Sequence, residues 1–163
     1  MQILGSEKTR QFLTKQGFKD ATISTNPVAV TDNQSVSYNQ NQGIPRYSAD
    51  TGLTVNTRDI DQVALALQKT GDLVQQGIVV TSSNATYRYN GLNQIKPVML
   101  DEATQNAYAA ARSFAKNAGT SLGAIRRATQ GLFTITDANS NFDSGTAIMK
   151  KIRVVTTVEY QLK

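Results

Sequence analysis

An alanine-built helical stripe between Pro97 and Gly119 constrains this chain more than any other stretch. Leu100, Ala103, Ala107, Ala110, Ala111, Phe114 and Ala118 recur at steps of three and four, which places them on one face of an α-helix. Pro97 is expected in the first turn, where its missing N–H has no partner to lose. Asp101 and Glu102 lie near the positive end, Lys116 near the negative end, and Gly119 supplies a left-handed stop. Alanine lets a helix lie close to a sheet, and two long strand-like runs follow. The first is Leu122–Thr136, with Gly131 as a bulge position. The second is Ala147–Leu162, in which Ile148, Ile152, Val154, Val158, Tyr160 and Leu162 share one parity and Lys151, Arg153, Glu159 and Gln161 the other. The helix is therefore expected to be the packing spine of a long, half-buried antiparallel pair.

The residues before the spine read as a second grouping. Gly5–Gln16, reaching back as far as Ile3, reads as a helix with Phe12 and Leu13 buried and Gly17 as its stop. Thr22–Thr31 reads as a strand in which Pro27 marks a bulge or an edge, because it cannot donate to a ladder. Asp32–Arg46 is a polar connection, suited to a mobile hairpin tip or to an arm that grips a neighbour. Tyr47–Thr57 returns as a strand. Asp59 caps a helix that runs to Gln75 with Ile60, Val63, Ala64, Leu67 and Val74 buried, and Gly77–Tyr89 reads as a further strand. With one strand placed in front, the order becomes βαββαβ, the ferredoxin-like split unit. A first strand, preceded by an export segment, is expected upstream of Met1. The fold class is thus α+β: residues 1–91 as a ferredoxin-like unit lacking its leading strand, and residues 92–163 as a long helix with a two-stranded antiparallel extension, packed as one continuous domain. Without its first strand the unit should either pair with another chain near Thr22–Thr31 or Gly77–Tyr89, or leave its first helix without sheet support.

Composition narrows the chemistry. The chain has no cysteine and no histidine, so it has no thiolate, no disulfide framework and no imidazole for acid–base work or zinc binding. No cofactor is expected. Asp59 and Asp61 sit in a first helical turn and read as dipole partners rather than metal ligands. Asp137, Asn139, Asn141 and Asp143 have the alternate spacing of a calcium loop. However, Phe142 stands at the glycine position and Ile148 at the position of the bidentate glutamate, so a loop of turn formers accounts for them. The net charge is +5. Arg112, Arg126, Arg127, Lys150, Lys151 and Arg153 form a candidate anion or lipid-headgroup patch that converges if the last two strands pair. Alternatively, they cover the solvent face of a sheet and pair with Glu102 or Glu159. Nucleic acid is not an expected partner. Tyr47, Tyr87 and Tyr89 lack the aromatic context of an RRM, and no Gly-rich phosphate loop occurs.

Four stretches in order, RQFLTKQGF (Arg10–Phe18), TVNTRDIDQV (Thr54–Val63), EATQNAYAAARSFAKNAGTSLGAIRRATQG (Glu102–Gly131) and KKIRVVTTVEYQL (Lys150–Leu162), resemble the SIMPL-domain family of bacterial periplasmic proteins. The resemblance spans nearly the whole chain. It implies a periplasmic or cell-envelope location, homo-oligomeric assembly, and a role in envelope or oxidative-stress defence. It implies no catalytic residues, and membrane attachment only through a segment upstream of this sequence. The leading expectation is a non-enzymatic envelope protein that works by assembling. The competing one is a binding module that uses the basic strand face for anionic lipid, cell-wall fragments or nucleic acid.

Overall fold

The computed structural model describes residues 4–36 and 45–163. Ile3 and residues 37–44 of the expected polar arm lie outside the described residues. The chain is α+β and divides into two compact units, Met1–Ala85 and Thr86–Lys163.

In the first unit, helix α1 (Leu4–Lys15) buries Phe12 and stops at Gly17, whose φ is +94°. A side chain there would be strained, and its Cβ would fall 2.6 Å from Gln62 Nε2. That amide donates to the Gln16 carbonyl at 3.0 Å, so the turn is tied to the next helix. Strand β1 (Ile23–Thr25) and strand β2 (Ala29–Asp32) are separated by a break that contains Pro27, as its missing donor predicts. A short helix, α2 (Asn33–Val36), follows. Strands β3 (Tyr47–Asp50) and β4 (Leu53–Val55) return antiparallel, β3 against β2 and β4 against β1. The break is bridged by Asn26 N donating to the Gly52 carbonyl at 2.8 Å. Helix α1 packs on β4, so it has sheet support.

Helix α3 (Ile60–Gln68) is capped by Asp59, whose Oδ1 accepts from Gln62 N at 3.0 Å. It does not run to Gln75. It ends near Thr70, whose hydroxyl turns back to the Leu67 carbonyl at 2.7 Å, and helix α4 (Gly71–Gln75) restarts. Ala66 and Leu73 are buried, whereas Ile60 and Val74, expected inside, are exposed. The core of this unit joins Phe18, Ile23 and Ala66 to Leu13, Leu53, Val55 and Val63. Gly77–Tyr89 is a second correction, because among the described residues no strand occurs between β4 and α5 (Leu92–Asn117). Its residues have strand propensity, but a strand requires a ladder partner. In a split βαββαβ unit that partner would be the leading strand.

In the second unit, α5 begins five residues earlier than expected, so Pro97 lies inside it. The ring removes one intrahelical bond, to Asn93, which a 26-residue helix tolerates. The stripe facing inward runs Ala103, Ala107, Ala111, Ala115 at strict four-residue steps, with Ala115 buried. Leu100, Ala103, Ala107 and Ala111 turn inward as expected, whereas Ala110, Phe114 and Ala118 are exposed, so the inward stripe is narrower than expected and continues to Ala115. Against α5 stands a long hairpin in two ladders: β5 (Leu122–Gln130) with β8 (Thr156–Leu162), and β6 (Thr134–Asp137) with β7 (Lys150–Arg153). Between the ladders, residues 131–133 oppose only residues 154–155, and Gly131 N donates to the Val155 carbonyl at 2.8 Å. A Cβ at Gly131 would sit 2.9 Å from that oxygen, which is why glycine occupies the bulge. Parity from Lys150 to Tyr160 holds as read from the sequence. Even positions are half-buried and odd positions exposed, whereas Ile148 and Leu162, expected on the buried side, are exposed; in β8 Tyr160 meets Tyr108 of α5 edge-on at 6.1 Å.

Candidate functional site

The end of the long hairpin carries the most organised chemistry among the described residues. Asp137 closes β6 and Lys150 opens β7, directly opposite each other in register. Lys150 has inward parity, so its ammonium is withdrawn from solvent, with 5% of its side chain exposed. It lies 2.8 Å from Asp137 Oδ1 and 2.6 Å from Asp143 Oδ1. Ser144 N donates to Asp137 Oδ2 at 3.1 Å, and Gly145 N to Asp143 Oδ1 at 2.9 Å. The Lys150 ammonium and the Ser144 bonds hold the Asp137 carboxyl down at about 2. The same ammonium lowers Asp143, and the two carboxylates raise Lys150.

This arrangement resolves the calcium-like spacing. Asp137 and Asp143 do surround a cation, but it is the Lys150 side chain. Among the described residues no group of three or more acidic side chains could hold a metal ion. The sequence reading placed Lys150 in the anion patch and missed the clasp. Its even parity, shared with Ile152 and Val154, was the available signal. A lysine on the inner side of a strand needs carboxylate partners, and two stood within 13 residues of it.

The other patch residues are exposed. Lys151 opposes Thr136 and Arg153 opposes Thr134 on the outer side of β7. Adjacent Arg126 and Arg127 fall where a register shift sets Arg127 against Glu159. Arg112 is exposed on α5. Among the described residues none of these five makes an ion pair, with Glu102, Glu159 or any other acid. The basic charge is unevenly divided along the chain. Met1–Ala85 holds seven basic and seven acidic residues, and Thr86–Lys163 ten basic and five acidic, so the entire +5 belongs to the second unit.

In the first unit, an open concavity of about 470 Å³ lies between Gly17, Lys19, Asn56, Arg58 and Gln62. No titratable side chain on it is buried. No helix among the described residues is long and apolar enough to cross a membrane.

Fold and site together define an α+β protein built from helices and two-stranded antiparallel ladders, with a charged clasp at the end of its longest hairpin. Residues 5–160 match the SIMPL family, described as proteins of unknown function (DUF541), and the chain belongs to that family. No curated protein matches it.

Proposed function

We propose that this chain is a non-enzymatic protein of the bacterial cell envelope that works by assembling with copies of itself, in envelope or oxidative-stress defence. One observation carries the assembly reading. Every strand among the described residues belongs to a two-stranded ladder, so each has one edge without a ladder partner. Such pairs are marginal on their own, and open edges are surfaces on which further strands add. The small core agrees, since Ala115 is the only buried apolar side chain among the described residues of the second unit. The absence of cysteine and histidine supports a role without thiol or imidazole chemistry. Family membership supports the envelope location only by resemblance. Light scattering coupled to size exclusion tests assembly. The expected mass is a multiple of 17.7 kDa at micromolar concentration. A species of 17.7 kDa at every concentration would reject the reading.

A second reading, a binding module for anionic ligands, is favoured by the placement of the whole net charge in the second unit. Lys151, Arg153, Arg126 and Arg127 carry it; Lys150 is committed to the clasp. Glutamine at Lys151 and Arg153 should reduce retention on heparin in a salt-dependent way. Retention unchanged by both substitution and salt would remove this reading.

A further inference from the structure

We propose that the end of the long hairpin is an interfacial anchor that seats on anionic phospholipid bilayers. The proposal rests on the anionic-ligand reading above and names the partner. The loop Ala138–Met149 is fixed from several sides. Lys150 joins Asp137 to Asp143 across its base. Asp137 N donates to the Phe142 carbonyl and Ala138 N to the Met149 carbonyl, both at 3.0 Å, and Tyr87 N donates to the Gly145 carbonyl at 2.6 Å. All of these contacts are made by backbone and charged groups. They leave the large apolar side chains of the loop outside, with Phe142 68%, Met149 71% and Ile148 48% exposed.

A loop that only reverses the chain is built from polar turn formers. This one holds three large apolar side chains in water on an ordered base. Cations adjoin them. Lys151 is exposed at the start of β7, two residues from Met149, and exposed Arg88 follows Tyr87, whose N–H is bound to the loop. With Lys150 they outnumber Asp137 and Asp143, so the tip presents positive charge around an apolar point. That combination matches the boundary between headgroups and acyl chains, where apolar side chains insert shallowly and lysine or arginine meets lipid phosphate. A polyanion in solution would leave Phe142 and Met149 without a partner. The second unit of another copy fits this tip less well, because it carries the same +5.

The chain contains no tryptophan, so Phe142→Trp provides a single reporter. Its emission should shift to the blue, and be quenched by brominated acyl chains, on vesicles of phosphatidylglycerol and phosphatidylcholine. Vesicles of phosphatidylcholine alone should give neither effect, and high salt should abolish both. Phe114→Trp, exposed on α5, should not respond. Replacing Phe142 and Met149 by serine should lower partitioning onto the anionic vesicles roughly tenfold. An unshifted Phe142→Trp, or an equal shift from Phe114→Trp, would overturn the proposal. Heparin retention without a vesicle response would reject the anchor and leave the basic-face reading intact, whereas loss of both would reject both. A blue shift that grows with protein concentration in the absence of vesicles would assign the tip to self-association instead.

Discussion

A lysine ammonium enclosed by two carboxylates stabilises a loop only while all three groups are charged. Asp137 has its carboxyl lowered from 3.8 to about 2, so its contribution is complete above the ordinary value and is lost as pH falls from about 4 to about 2. Lys150 is raised above 10.5, so its contribution persists to that pH and is lost only beyond it. Thermal melts should therefore show a loss of stability between about pH 4 and about pH 2 that Asp137→Asn largely removes. An identical acid profile for the variant would show that the clasp does not set it. Lys150→Met should lower the melting temperature clearly, because it leaves Asp137 buried without its cation. Lys151→Met, one residue away but on the exposed side, should change stability by no more than about 0.5 kcal/mol. Equal effects from the two substitutions would contradict the inward parity of Lys150.

At the scale of elements, two interruptions shape the long hairpin and the spine helix. Gly131→Val would push a branched side chain onto the Val155 carbonyl and should cost about 1–3 kcal/mol in urea unfolding. Pro97→Ala restores a donor inside α5 and should stabilise it by up to about 3 kcal/mol. A neutral or destabilising result would mean that the ring is needed where it stands. The elements also show what the sequence made legible. The alternation of Lys150–Tyr160, the Asp59 cap, the stops at Gly17 and Gly119 and the break at Pro27 each depend on residues within a few positions, and each was readable. What was not readable depends on a partner distant in sequence. The face of α5 that turns inward is chosen by the hairpin, so Ala115 is buried and Phe114 is not. The face of α3 and α4 that turns inward is likewise set by what it meets, so Ala66 and Leu73 are buried and Val74 is not. Gly77–Tyr89 has strand residues but no ladder, since pairing is a property of two segments. At the site, the patch cations Arg126, Arg127, Lys151 and Arg153 were legible as exposed charge. The clasp was hidden because its three members reach one point only after the chain reverses.

For the whole molecule, the division at Ala85 and Thr86 falls beside a stretch without helix or ladder bonds. Thermolysin should cut first there, before Val79 or Val80, and leave the two units as separable fragments. Protection of that stretch at high protein concentration would support strand addition in the assembly, whereas early cleavage inside α3 or α5 would contradict the division. The clasp has a further consequence for the chain as a whole. A loop organised around calcium depends on its surroundings, and it slackens when a chelator or a dilute medium strips the ion away. Here the cation is encoded: Lys150 is joined to the loop by the peptide chain and cannot be exchanged, diluted or removed. The shape of the hairpin end is thus settled at synthesis, and EDTA and excess calcium should leave it the same.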